Sequence, residues 1–425
     1  MQTASKKVLN GWAMYDWANS TYSLVITSTM FPAYYLAIAP EEVKLLGRTY
    51  PRESLASYVI AASFLVIALL SPILSSIADY KGNKKGFLQF FCYLGSIACA
   101  GLIFFTEDNI GYGLLMSMLA SVGYCGSIVF YNAYLPEIAA EADQDRVSAK
   151  GFAMGYTGSV ILMVVCLVFI TLNEQLGWGL GSWPVRLSFL SVAIWWAGFA
   201  QVTFKRLPPS TANNLHPEHS IFVNGFYELK KVWNQLTHYP ALKRFLRSFF
   251  FYNMGVQTVM YMAPYFAEDE LKMESTQLII TILIIQLVAI FGAYIFSLVS
   301  RKAGNIIALI CIIIMWIGIC VFAYYTKSVN EFYVLAFLVG MVMGGVQSLS
   351  RSTYSKLLPE TKDTASYFSF YDVMDKVSTV MGTFVFGFVE QITGGMRNSV
   401  MALAVFFIIS VIVLGTVTVR RMKTA

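Results

Sequence analysis

The sequence predicts an all-α integral membrane protein, with twelve transmembrane helices in two pseudo-symmetric six-helix bundles and both termini in the cytoplasm. Three observations carry that expectation. The 425 residues are 57% hydrophobic and only 13% charged, with a mean hydropathy of +0.62, against about 45–50% apolar usage in average proteins. The apolar residues fall in continuous helix-length runs, about 20 residues per crossing of a ~30 Å hydrocarbon core, and not in the alternation of barrel strands. Short motifs also recur in the two halves of the chain at a nearly constant offset.

The first span, about 11–38, opens with Trp12-Ala13-Met14-Tyr15-Asp16-Trp17-Ala18-Asn19-Ser20. Lys6 and Lys7 precede it as in a signal peptide. The run is too long for one, contains Asp16 and lacks a small-residue cleavage site, so it reads as a retained helix. An ionised Asp in hydrocarbon costs about 2.5–3.5 kcal/mol on insertion scales, so Asp16 faces protein or a watery cavity. With the helix starting near Gly11, Asp16 lies about 8 Å along it, at the depth of an inner gate.

Spans follow at about 55–77, 87–105, 111–134, 152–172 and 185–204. The segment 205–241 forms a linker that holds all three histidines, His216, His219 and His238. Its later part spaces Phe222, Phe226, Leu229, Trp233 and Leu236 as one helical face beside Lys230 and Lys231, which suits a helix lying on the inner membrane surface. Six more spans are expected at about 242–266, 276–299, 305–325, 331–355, 366–391 and 398–419. The domains are therefore 1–204, the linker 205–241, and 242–425. With the N-terminus inside, 22 Lys and Arg fall in inner segments and 7 in outer ones, with Lys376 inside a span, of 30 in all. That bias is the positive-inside pattern.

The repeat is visible in pairs. Leu135-Pro136-Glu137 and Leu358-Pro359-Glu360 end the fourth and tenth spans, with Tyr131 and Tyr354 at matching places before them. Gly82-Asn83 is matched by Gly304-Asn305. Six-plus-six parallel repeats imply a binding site between bundles near the midplane.

Polar residues within the spans give the candidate solute path. Asp372, Asp375 and Lys376 fall six to ten residues into the eleventh span, about 9–15 Å deep. Asp372 and Lys376 are i,i+4 and share a helix face. Gln347 on the tenth span, Asn253 and Gln257 on the seventh, and Asn132 on the fourth add amides at cavity positions. An interhelical structural role remains open for each.

The loop Ser75-Ser76-Ile77-Ala78-Asp79-Tyr80-Lys81-Gly82-Asn83-Lys84-Lys85 resembles the signature loop of the major facilitator superfamily, G-x-x-x-D-(R/K)-x-G-(R/K)-(R/K). Asp79, Gly82 and Lys84 match it; Ser75, Tyr80 and Asn83 depart from it. An Asp at a helix end accepts bonds from a neighbouring helix N-terminus and pairs with a basic residue, latching one access state. Gly82 permits the tight turn. The second-half loop Arg301-Lys302-Ala303-Gly304-Asn305 has no acid, so a latch there is expected to be reduced. The runs 15–20, 131–138 and 344–352, with Phe370-Tyr371 and Lys376, are similar to those of the "unknown major facilitator" family, related to the vacuolar amino-acid effluxers of autophagy. Asp375 departs from it, because a small residue is expected before the lysine.

That resemblance implies secondary transport by alternating access, with amino-acid export as the family's best-supported activity. The expected function is efflux of a small polar or zwitterionic solute, coupled to a proton or another ion. An exporter of amphipathic drugs or lipids, and a membrane sensor without net transport, are the alternatives. The expected gate comprises Asp16, Asn19, Asp79, Gly82, Lys84, Glu137 and Arg351. Arg351 reaches an inner depth comparable to Asp16, which leaves an inter-bundle contact open. No histidine lies in a span, which excludes a His-based proton relay. The absence of a Walker motif argues against ATP-driven transport, and no Ser-His-Asp or metal-ligand pattern points to an enzyme. No cofactor, metal or nucleic-acid partner is expected. The six cysteines lie in apolar runs without CxxC and read as packing residues. The chain is expected as a monomer in a bacterial inner membrane.

Overall fold

The computed structural model describes residues 2–45, 47–210 and 221–417. The expectations for His216, His219, Arg420, Arg421 and Lys423 lie outside the described residues, as do those for the side chains of Phe222 and Phe226. The chain opens as α1 (Lys6–Thr21), widens into a π-helical stretch (Tyr22–Met30) and continues as α2 (Phe31–Ile38). Hydroxyls mark the widening: Ser28 and Thr29 donate to the carbonyls five residues back, Ser23 and Leu24. Pro32, which has no N–H to donate, follows immediately. A hairpin of β1 (Glu42–Leu45) and β2 (Arg48–Pro51), in register Glu42↔Pro51 to Leu45↔Arg48, precedes the next helix. Its first strand, Glu42-Val43-Lys44-Leu45, alternates polar and apolar residues, but over four residues only.

The remaining first-half helices are α3 (Arg52–Lys81), α4 (Lys84–Gly101), α5 (Ile110–Ala133), the single turn α6 (Leu135–Ile138), α7 (Glu141–Leu176) and α8 (Trp183–Arg206). After α9 (Ile221–Gln235) come α10 (Pro240–Leu271), α11 (Ser275–Ala303), α12 (Asn305–Tyr325), α13 (Val329–Leu357), α14 (Thr364–Thr393) and α15 (Met396–Gly415). Among the described residues, nine helices are long and apolar enough to cross a membrane. The other three expected spans fall on the interrupted α1–α2 run, on α10, and on α14 with its Asp372, Asp375 and Lys376.

Several helices begin earlier than the apolar pattern indicates. α7 starts at Glu141 rather than near 152, because its polar first three turns pack against protein: Gln144, Asp145, Val147 and Ser148 are all buried. α1 starts at Lys6, which puts Asp16 about 15 Å along the helix rather than 8 Å. α14 starts at Thr364, which puts its three charges about 12–18 Å in.

Packing repeats across the two halves. In the first, α1 lies on α7 and α8, and α4 on α5 and α8; in the second, α10 lies on α14 and α15, and α12 on α13 and α15. Across the seam, α7 touches α11 and α13, while α14 touches α3 and α5. These are the fifth helix against the eighth and tenth, and the eleventh against the second and fourth: the same relation with the halves exchanged. α11 and α13 approach so closely that a Cβ on Gly344 would lie 2.0 Å from the Ala289 carbonyl oxygen. Small residues at such crossings are how helices pack tightly in lipid.

Candidate functional site

The hydrogen bonds and ion pairs joining the halves concentrate at the end of the molecule where α1 begins. Among the described residues they form three polar clusters, with neutral contacts deeper along the seam.

Arg351 on α13 centres the first cluster. Its Nη1 and Nη2 lie 3.1 and 3.2 Å from the same oxygen of Asp16 on α1. That oxygen also accepts from the Tyr131 hydroxyl at 2.8 Å. Arg351 further donates to Asn132 Oδ1 at 3.3 Å, to Ser148 Oγ at 2.9 Å and to the Ser148 carbonyl at 2.9 Å. Its guanidinium stacks over Phe152 at 4.1 Å and Trp12 at 4.8 Å. Asp16 and Arg351 are both buried, at 7% and 4% exposure. A buried charge pair is tolerable only when its donors find partners, and all three guanidinium nitrogens of Arg351 do so here. Gly151 on α7 makes room, since a Cβ there would lie 2.4 Å from Asp16 Oδ2.

The second cluster is built on the signature loop. Asp79, at the end of α3, accepts from the backbone N–H of Ala365 at 3.2 Å and of Ser366 at 2.8 Å, and from the Ser366 hydroxyl at 2.8 Å. A carboxylate thus caps the N-terminus of α14 across the seam, where orphan amides and the helix dipole favour negative charge. Lys84 pairs with Asp79 at 3.3 Å and with Glu137, and donates to Thr364 Oγ1 at 2.6 Å. Thr364 in turn donates to Glu137 at 2.7 Å. Gly82 ends α3 at φ +63°, the left-handed conformation glycine adopts without a Cβ clash.

The third cluster corrects the expectation of a reduced second-half latch. Asp145 on α7 accepts from Ser300 Oγ at 2.8 Å, Asn305 Nδ2 at 2.7 Å and Lys356 Nζ at 2.7 Å. The acid missing from the 301–305 loop is supplied by the opposite half, so a charged cross-seam cluster forms there with its polarity exchanged. Sequence reasoning missed Asp145, Ser148, Ser300, Asn305 and Lys356. The Gly82-Asn83 and Gly304-Asn305 match was the signal for Asn305; the others had none.

Deeper in α14, Lys376 Nζ lies 2.8 Å from Asp375 Oδ2 and 3.6 Å from Asp372 Oδ1. Asp375 Oδ1 accepts from Asn253 at 2.8 Å and Gln257 at 3.2 Å, both on α10. The structure therefore gathers five of the seven residues expected on the solute path. Gln347 instead accepts from the Tyr156 hydroxyl at 2.5 Å across the α7–α13 seam. Asn132 meets Arg351 rather than α14. Asn19 is buried one turn above Asp16, and its Nδ2 has no hydrogen-bond partner among the described residues. Among these residues, no group of three or more His, Cys, Asp or Glu could hold a metal ion.

Comparison with known proteins matches residues 4–425 to the family described as "Vacuole effluxer Atg22 like". The chain is 33% identical over 415 residues to the uncharacterized MFS-type transporter YxiO of Bacillus subtilis (strain 168), covering 96% of this chain and 94% of that one. It is 24% identical over 503 residues to autophagy-related protein 22-1 of Phaeosphaeria nodorum, covering 95% and 89%. Among solved structures, the major facilitator superfamily transporter FucP in its outward conformation aligns with a TM-score of 0.71 at 12% identity, over 97% of this chain and 98% of that one. The proton:xylose symporter XylE aligns at 0.72 and 13%, over 97% and 95%. At these identities the likeness is one of fold.

Proposed function

From the premise that the chain belongs to the Atg22-like family of major facilitator superfamily transporters, and is a multi-pass membrane protein, we propose that it exports a small polar or zwitterionic solute, amino-acid-like, in exchange for protons. Residues 1–204 and 242–425 are the two six-helix bundles, joined by the linker 205–241, and all twelve long helical runs cross the membrane. Both termini face the cytoplasm, and the membrane is a bacterial inner membrane. The protein works as a monomer.

The carrying observation is the buried charged group on α14, Asp372, Asp375 and Lys376, lying along a seam closed at one end by polar bonds. Charges this deep in a membrane helix mark an ion or substrate path by default. On this reading the structure is outward-facing. Asp16–Arg351, Asp79–Lys84–Glu137 and Asp145–Lys356 form the closed cytoplasmic gate, and Gly82 shapes its loop. Asn253, Gln257 and Gln347 line the path with the charges. Asn132 and Asn19 support the gate side of it.

Flux of a radiolabelled amino-acid mixture in proteoliposomes, with and without a pH gradient, tests the proposal. Gradient-driven flux that collapses in Asp372→Asn is expected. Flux indifferent to the gradient and unchanged in both Asp372→Asn and Asp375→Asn would remove the coupling role.

A further inference from the structure

The charges on α14 point to two different places. Asp375 turns into its own half. Asn253 and Gln257 of α10 donate to one oxygen, and Lys376 donates to the other at 2.8 Å. Three donors, one of them charged, satisfy it fully as an anion. α10 and α14 belong to the same half, so these bonds travel together when the halves move.

Asp372 sits on the seam. One turn before it, Ser369 bonds Ser71 of α3 at 2.9 Å. One turn after it, Lys376 lies over the Phe64 ring of α3 at 5.4 Å. α3 belongs to the other half, so the surroundings of Asp372 change whenever the seam opens. The carboxyl is 7% exposed. Its Oδ1 is 3.6 Å from Lys376 Nζ, beyond hydrogen-bond length, and its Oδ2 has no partner among the described residues. A buried carboxylate with one bare oxygen is strongly disfavoured against the neutral acid.

The titratable groups around it are few. Lys376, Asp375 and Tyr371 share its helix; Cys125 and Tyr124 of α5 and Tyr261 of α10 are the titratable side chains that face the charged group from the neighbouring helices. The α3 residues at this level, Phe64 and Ser71, are neutral, as are Asn253 and Gln257 of α10. On α15 the cation Arg397 is engaged by Glu270. On α9, Lys231 is engaged by Asp363, more than two turns away along α14, and on α13 Arg351 is held by Asp16. Two carboxyls therefore share one lysine, and the group is neutral only when one of them holds a proton.

We propose that Asp372 is the proton carrier, protonated in this closed-end state, and that Asp375, held by Asn253 and Gln257, is the anchor that keeps Lys376 in place. This rests on the proton-coupled reading above. The O–H bond on Asp372 breaks when α3 withdraws and water reaches the carboxyl. The proton leaves to that water, and the group passes from neutral to a single negative charge shared around Lys376.

Infrared difference spectroscopy of the full chain in lipid nanodiscs, stepped from acid to alkaline pH with no solute added, reads the C=O stretch of buried carboxylic acids. One such band that vanishes at alkaline pH is expected in the wild type. It should be lost in Asp372→Asn, moved in frequency in Asp372→Glu, and unmoved in Asp375→Glu. The glutamate variants keep the test decisive if the asparagine variant fails to fold. The absence of a titrating band in the wild type, a band that survives Asp372→Asn, or one moved by Asp375→Glu would overturn the assignment. The flux assay separates the two readings. Gradient-driven flux with the band elsewhere overturns this assignment alone. Gradient-insensitive flux with the band on Asp372 overturns its role as the coupling carrier and leaves the protonation site standing.

Discussion

Arg351 reaches across the seam between the halves and places both terminal nitrogens within 3.2 Å of a single oxygen of Asp16, 335 positions earlier in the chain. The pair is buried, its shared oxygen also accepts from Tyr131, and the guanidinium stacks on aromatic rings. It joins the two halves at the end of the molecule where α1 begins.

Asp16→Asn therefore acts on the balance between access states. Removing one partner of a buried pair costs about 3–5 kcal/mol, which here falls on the closed-end state. In a cysteine-free background with Gln144→Cys as reporter, cytoplasmic labelling of the reporter should rise at least tenfold. Ligand affinity should stay nearly intact; a large affinity loss with unchanged labelling would contradict the gate role.

Gly151→Ala wedges a methyl into the same contact, since the new Cβ would lie 2.4 Å from Asp16 Oδ2 and 2.9 Å from Arg351 Nη2. It should raise reporter labelling in the same direction. Combined with Asp16→Asn, it should add less than the sum of the two, because both act on one interaction. Simple additivity in the double-mutant cycle would show that the two residues act separately.

Asp79→Ala should open the end more than Asp79→Asn. The amide keeps one acceptor oxygen for one of the Ala365 and Ser366 N–H groups, puts an NH2 donor where the second oxygen was, and loses the charge facing Lys84 and the helix dipole. A difference of about 1 kcal/mol between the two variants follows from loss of a helix N-cap. Equal labelling in the two variants would mean that the capping bonds contribute nothing.

Asp145→Asn and Lys356→Ala should weaken the closed state by similar amounts and be non-additive, because both break the 2.7 Å pair. Thermal unfolding of the closed state, trapped by a cross-seam cysteine pair, should not separate them. A Lys356→Ala variant indistinguishable from wild type in reporter labelling would remove this cluster from the gate.

The residues that the sequence marks best are those whose cost is local. Asp16, Asp79, Asp372, Asp375 and Lys376 stand out because a charge in an apolar run needs a reason wherever its partner lies. Gly82 stands out because a turn after a helix of that polarity needs a left-handed residue. The closing residues Asp145, Ser300, Asn305 and Lys356 do not stand out. They sit at helix ends where polar side chains are ordinary, and only their meeting makes them a cross-seam cluster. The extended starts of α7 and α14 were hidden for the same reason: their polar turns are covered by protein, which hydropathy reads as solvent.

By itself, the sequence determined the class of molecule, the number and order of its apolar runs, the basic bias of their connections and the internal repeat. Each of these follows from the transfer energies of single side chains or from matches along the chain. Only the tertiary structure decided that Arg351 answers Asp16, that the 301–305 loop meets an acid from the opposite half, and that Asp375 is held by α10 while Asp372 is left on the seam. Those relations depend on which helix faces meet across hundreds of residues. Periodicity constrains which residues share a face, but not which face of another helix it will touch.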